Sequence, residues 1–321
     1  MTEVRIAAAQ YPIELLPSYG AWEAKLSRWM SEAAARRAQL LVFPEYAAME
    51  LAGTDPAAAA DLHASLDHVV ALGERIDELH RQLAIHYGVT ILGGSRPCRD
   101  ARGAVVNRAR LFCPDGRTGY QDKIVMTRFE REIWGITGGE AVHVLDAPFG
   151  RVGISICYDA EFPLIARAQA EAGARIILVP SATDSMQGYW RVRIGAQARA
   201  LENQCYVVQA PTVGQAPWVP SLDDNHGAAA IYGPPDGIAP DNGVFAVGEV
   251  NRPQWLFSDV RLDQVDVWRG SGTVLPFLHW PEQHVAMRPD DACRDEPALP
   301  APITAPDKSE DRPEPIFGSL E

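Results

Sequence analysis

Hydrophobic positions along the chain come in two alternating kinds. Short runs rich in Val, Ile, Leu and Ala predict strands: "VRIAAAQ" (4–10), "LLVFPE" (40–45), "VTILGGS" (89–95), "RVGISIC" (151–157) and "RIILVPSAT" (175–183). Between them lie amphipathic stretches with helical spacing. In "AWEAKLSRWMSEAAARRAQ", Trp22, Leu26, Trp29 and Ala33 share one helical face. A second helix is expected from Leu66 to Gly88, with Leu66, Val70, Ile76, Leu79 and Leu83 as its stripe. Helices are also expected over "PLIARAQAEAGA" and "WRVRIGAQARALENQ". The stretch 105–120 reads as a hairpin whose Pro-Asp-Gly supplies the turn. Further strands follow at "CYVVQAPTVG", "GAAAIYGPPDG", "GVFAVGEV" and "WLFSDVRL".

This alternation is the mark of an α/β layer architecture. The segments "AQLLVFPE" (38–45) and "ARIILVPS" (174–181) echo each other: four apolar residues, a proline and a polar residue. The echo suggests two related halves. The domain is expected to span residues 1–285. Residues 286–321 change character: from Pro289 there are seven prolines, nine acidic and three basic residues. That composition buries too little apolar surface to fold alone, so a tail is expected, disordered or packed on a partner subunit.

Composition narrows the partners. A net charge of −13 argues against nucleic-acid binding and against adhesion to anionic membranes. No apolar run reaches about 18 residues, and the N-terminus lacks the pattern of a secretory leader. The five scattered cysteines (98, 113, 157, 205 and 293) show no metal-ligand spacing. A cytoplasmic protein without a metal is expected. His63, His68, His80 and His86 read as a solvated helix surface.

Three polar residues stand at element ends, where α/β sheets gather ligand sites: Glu45 after "LLVFP", Lys123 after the hairpin, and Cys157 after "GISI". Together they could make a nucleophilic device. A nearby cation would lower the thiol pKa, a carboxylate could accept its proton, and an ammonium could stabilise an oxyanion. Placement at strand ends alone leaves the plainer alternatives open, a Glu45–Lys123 surface ion pair and a core thiol.

The contexts of these residues add a resemblance. "LLVFPEY", "YQDKI", "GRVGISICYDAEFP", "RIILVPSA", "WRVRIGAQARALENQCYVV" and "GAAAIYGPPDG", in that order, resemble the nitrilase (carbon–nitrogen hydrolase) superfamily over roughly residues 4 to 270. The resemblance implies an α-β-β-α sandwich, two mixed sheets with helices outside, and cofactor-free hydrolysis through a cysteine thioester. It makes Cys157 the nucleophile, Glu45 the general base, and Lys123 with the Tyr158 backbone N–H the oxyanion site. A second glutamate is implied near the lysine, with Glu130 the better fit and Glu132 the fallback. Family habit also implies at least a homodimer. "CYD" favours an amide over a nitrile, so the expected substrate is a small linear amide or carbamoyl compound. A nitrilase, an N-carbamoyl hydrolase and an inactive binding homologue are the alternatives. Leu164, Thr183 and Trp134 depart from common family patterns and leave the substrate open. Tyr46, Thr183, Asp184, Met186 and Trp190 are the expected pocket residues.

Overall fold

The first strand, β1 (Glu3–Pro12), is apolar on both faces, as a strand covered on each side must be. Val4, Ile6 and Ala8 join one core cluster, while Ala7, Ala9 and Tyr11 join another. This follows from the two-residue alternation of strand side chains. The computed structural model describes residues 3–287. After β1 come α1 (Tyr19–Ala35), β2 (Leu40–Val42), α2 (Pro56–Ala59), α3 (Leu62–Ala71) and α4 (Gly73–Tyr87). The half closes with β3 (Thr90–Arg99), β4 (Val105–Phe112), β5 (Thr118–Asp122) and the short α5 (Arg128–Glu132).

Helix α1 is capped by Ser18, whose hydroxyl accepts the Ala21 N–H. It buries Trp22, Leu26, Met30 and Ala33, with Trp29 only half-buried. The single helix expected from 66 to 88 is two helices that break at Leu72–Gly73. The Arg96 guanidinium occupies the space a side chain at Gly73 would need and donates to its carbonyl at 3.1 Å. Consequently Val69, not Val70, turns fully inward. His80 is not solvated as expected. It is buried, its Nδ1 lies 2.8 Å from the Ile76 carbonyl, and its ring stacks on Phe112 at 5.4 Å.

The second half runs β6 (Val144–Ala147), β7 (Gly150–Ile154), α6 (Pro163–Glu171), β8 (Ile176–Ser181), α7 (Met186–Asn203) and β9 (Tyr206–Gln215). It continues with β10 (Asp224–Asn225), β11 (Ala230–Tyr232), β12 (Val244–Val247), β13 (Gln254–Arg261), α8 (Asp263–Ser271) and α9 (Pro276–His279). Trp280–Met287 forms a separate 3-10 segment. Almost all of the tail expected from 286 onward lies outside the described residues.

The strands order as β5-β4-β3-β2-β1-β13 and as β6-β7-β8-β9-β11-β12. Each set has a parallel centre (β3-β2-β1 and β7-β8-β9) flanked by antiparallel strands. They join where Tyr11 and Pro12 of β1 pair with Thr212 and Val213 of β9. The echoed segments therefore take equivalent places, β2 and β8 each being the middle strand of a parallel trio. Apolar side chains of both sheets form one cluster, Val4, Ile6, Leu40 and Val42 together with Val152, Ile154 and Leu178. Helices α1, α3 and α4 cover the first sheet from outside, and α6 and α7 cover the second. This is the expected α-β-β-α sandwich.

Candidate active site

Two middle strands end facing one another, and that convergence builds the site. Beyond β2 the chain runs Phe43-Pro44-Glu45-Tyr46. Its Pro44 carbonyl presses on Gly94, where a side-chain carbon would lie 2.2 Å from the oxygen. Gly94 has φ +74°, so the position tolerates only glycine. The register of β3 against β4 shifts between Leu92 and Ser95, which makes this close approach possible. Ser95 then anchors the segment: its N–H donates to the Pro44 carbonyl and its hydroxyl accepts the Tyr46 N–H, both at 3.2 Å. Just past the end of β8, the Ala182 N–H donates to Glu45 Oε2 at 2.9 Å.

Cys157 opens a 3-10 turn (Cys157–Glu161) three residues past the end of β7. Its φ of +49° is left-handed, which costs a non-glycine residue on the order of 1 kcal/mol or more. Several contacts hold it there. Asp159 accepts the Ile156 N–H at 3.3 Å and returns its own N–H to the Ile156 carbonyl at 2.9 Å. Behind the turn, α7 comes so close that a side chain on Gly195 would meet the Ala160 carbonyl at 2.7 Å. Arg199 donates to that carbonyl at 3.1 Å. Sγ of Cys157 sits 3.6 Å from the Ala182 carbonyl. The Tyr158 N–H beside it has no partner among the described residues.

Lys123 follows β5 directly, and its N–H bonds to the Asn107 carbonyl at 2.9 Å. Its ammonium lies between two carboxylates, 2.8 Å from Glu45 Oε1 and 2.6 Å from Glu130 Oε2. All three charged side chains are at most 3% exposed. Glu130 is placed by the capping box of α5, where Thr127 and Glu130 satisfy each other's backbone N–H. Tyr46 donates its hydroxyl to Glu130 Oε1 at 2.8 Å and packs edge-on against Trp134. Asn107 Nδ2 reaches both acids, Glu45 Oε1 at 2.9 Å and Glu130 Oε1 at 3.2 Å.

Two buried carboxylates share one ammonium, and this decides the charge states. Burial raises Glu45 above the ordinary carboxylate range, more than Lys123 lowers it, and the Glu130 charge adds to the rise. Burial pushes Glu130 the same way, but Lys123, the Thr127 N–H and Tyr46 together outweigh it and leave it low. Lys123 is driven well up by the two acids against its own burial. Cys157 is pushed well above the usual thiol value, by burial first and the Glu45 charge second, with Lys123 opposing. Lys123 does act to lower the thiol pKa, as expected, but burial and the Glu45 charge outweigh it. The nucleophile therefore rests as a thiol beside Glu45. Such a pair suits proton transfer concerted with attack.

The other expected residues fall in different places. Glu132 is exposed and pairs with Arg128, so Glu130 is the second glutamate on Lys123 beside Glu45. Tyr46 is inside the cluster. Thr183 turns its hydroxyl to the His226 carbonyl at 2.6 Å, so that group is committed to the fold. Asp184 is exposed and accepts from Ser185, and Met186 begins α7 half-buried. Trp190 is 48% exposed on α7 with Arg193 over its ring. The sequence reading gives Asn107 no role and takes Asp159 only as the last residue of "CYD", a sign of an amide substrate. Asn107 shares the inward face of β4 with Ala109 and Leu111, so a polar residue in an apolar row was the available signal.

Known proteins resemble the chain over most of its length. Residues 5–269 match the family described as carbon–nitrogen hydrolase. Among curated proteins, the chain is 34% identical over 271 residues to "Probable hydrolase YhcX" of Bacillus subtilis, covering 84% of this chain and 52% of that protein. It is 31% identical over 203 residues to a deaminated glutathione amidase of Synechocystis, covering 58% of this chain and 73% of that one. The chain spans about half the length of the first curated relatives it matches. Among solved structures, a carbon–nitrogen hydrolase from Helicobacter pylori superposes with TM-score 0.69 at 18% identity, covering 92% of this chain and 98% of that chain. Saccharomyces cerevisiae Nit3 gives 0.66 at 19%, covering 84% and 93%. The chain belongs to the carbon–nitrogen hydrolase, or nitrilase, superfamily.

Proposed function

We propose that the protein hydrolyses the carbon–nitrogen bond of a small linear amide through a thioester on Cys157. The observation that carries this reading is the buried Lys123 ammonium between Glu45 and Glu130, beside a cysteine in a left-handed turn. In the proposed sequence Sγ attacks the amide carbonyl carbon while Glu45 takes the thiol proton. The carbonyl π pair becomes an oxyanion, held by the Lys123 ammonium and the Tyr158 N–H. Collapse breaks the C–N bond, Glu45 returns the proton to the departing nitrogen, and ammonia or an amine leaves. Glu45 then deprotonates water, which attacks the thioester, and the acid departs as Sγ recovers its proton.

Glu130, tied to Thr127 and Tyr46, keeps the lysine in place and charged. Amide over nitrile is supported by "CYD" at 157–159 and by amidase names among the relatives, including omega-amidases of Xenopus laevis. The reading places the enzyme in the cytoplasm, where a free thiol stays reduced. It also takes the working form to be at least a dimer.

The test is a panel of amides, nitriles and N-carbamoyl compounds, assayed for acid, ammonia and carbon dioxide. Acid and ammonia from amides by wild type, with none from Cys157→Ala, is the expected result. Carbon dioxide release would move the reading to a carbamoyl hydrolase. Equal turnover by Cys157→Ala would end it.

A further inference from the structure

Asn107 touches every charged member of the site. Its carbonyl fixes the Lys123 backbone at 2.9 Å, and its amide nitrogen gives one N–H to Glu45 Oε1 and one to Glu130 Oε1. The amide can point only one way, because a flip would set Oδ1 against two carboxylate oxygens. Its Oδ1 is buried with no partner among the described residues. An unpaired buried acceptor destabilises a fold, and an apolar side chain would suit the row with Ala109 and Leu111 better. The donors, not the packing, account for an amide here.

Counting acceptors on Glu45 shows what those donors do. Oε1 receives both Lys123 and Asn107, whereas Oε2 receives the Ala182 N–H, and the Cys157 thiol lies within hydrogen-bonding reach of the same carboxylate. The carbonyl of that same Ala182 lies against Cys157 Sγ. Without Asn107, Oε1 of Glu45 would keep only Lys123 as donor and Oε1 of Glu130 only Tyr46, and the one donor group that bridges these two oxygens would be lost. A carboxylate that loses a hydrogen-bond donor beside a second acid binds its proton more tightly.

We infer that Asn107 is a positioning residue: it saturates Glu45 Oε1 and separates the two acids, so that the thiol proton is exchanged at Oε2. The inference rests on the hydrolase reading for its purpose, but its test does not need a substrate.

The experiment follows alkylation of Cys157 by iodoacetamide across pH, read by intact mass, in wild type, Asn107→Leu and Asn107→Asp. Cys157→Ala serves as the blank, and near-UV circular dichroism monitors packing. Leu matches Asn in size and removes both donors; Asp keeps the shape and adds a third negative charge. Natively packed Asn107→Leu should alkylate about tenfold more slowly at pH 7. Its acidic limb should move about one unit to higher pH. Asp should show the larger move, and it decides the matter should Leu not fold. Wild-type rates and an unmoved limb in a folded variant would overturn the assignment, since a merely structural role lowers stability without moving the limb. If wild-type Cys157 alkylates with this limb yet no compound of the panel is hydrolysed, the hydrolase reading fails and the Asn107 assignment stands.

Discussion

The Asp159 carboxylate accepts the Val125 N–H at 2.8 Å and thereby ties the turn that carries Cys157 to the loop that carries Lys123. Ile124 donates to the same carboxylate, and Ile156 closes the turn on it. Three backbone donors converge on one side chain, two residues from the nucleophile. Replacing an acceptor oxygen with an amide would set donor against donor. Asp159→Asn is expected to keep the fold and lower kcat about a hundredfold, the scale of roughly a 1 Å misplacement. Steady-state kinetics with a melting curve check this, and unchanged kcat would show that the tie is dispensable.

Glu45 sets the acidic limb. Its carboxyl is raised, so it takes a proton at higher pH than an ordinary glutamate, and the protonated form cannot act as a base. Activity is therefore expected to fall as pH drops through a value above 4.5, the group's ordinary pKa. The thiol is raised too, so its ionisation should bring no loss up to the ordinary thiol range of about 8.5. Glu45→Gln should cost about 10²–10⁴ in kcat. A pH–rate profile with a limb at or below the ordinary glutamate value would contradict this assignment.

A second buried ionic cluster supports the segment after Glu45. Lys25 pairs with Glu50 and also donates to the Pro12 carbonyl at 2.6 Å, while Tyr11 donates to Glu50 at 3.0 Å. Removing one member of a buried pair strands the other, so Lys25→Met should destabilise by about 3–5 kcal/mol in urea unfolding. Lys25→Met with Glu50→Leu should recover most of it. Burial raises Glu50 to about 7, so the folded state holds this proton more tightly than the unfolded chain. Its share of stability thus falls as pH rises from 4.5 to about 7, and Glu50→Gln should flatten that slope.

Helix α7 packs behind the Cys157 turn with one face and exposes an apolar stripe on another. Trp190, Ile194 and Leu201 are 48%, 63% and 44% exposed, and Leu164 of α6 is 70% exposed. At 100° per residue the three on α7 fall within about 40° of arc. A second copy of the chain is the expected occupant. Light scattering should give a dimer or larger, and Trp190→Glu with Ile194→Glu should give monomers. A stable wild-type monomer would refute this.

Much of this was legible in the chain because local pattern and chemistry coincided. The strands around Glu45 and Cys157 announced themselves by apolar runs, and the ordered motifs joined them to Lys123. What escaped depended on tertiary approach. The break at Gly73 comes from Arg96, a residue of β3, and the burial of His80 comes from Phe112 across the sheet. Asn107 reads locally as one strand residue among others, and only folding brings Glu45 and Glu130 to its amide. The raised thiol depends on burial first and on the Glu45 charge second, and tertiary approach sets both.

The central claim is that Cys157 carries the acyl group. Rapid-quench intact mass on wild type with a hydrolysed amide, followed by peptide mapping, tests it most directly. The expected result is a transient adduct of the acyl mass on the peptide holding Cys157, absent from Cys157→Ala along with turnover. Turnover with no adduct, persisting when Cys157 is alanine, would contradict the account.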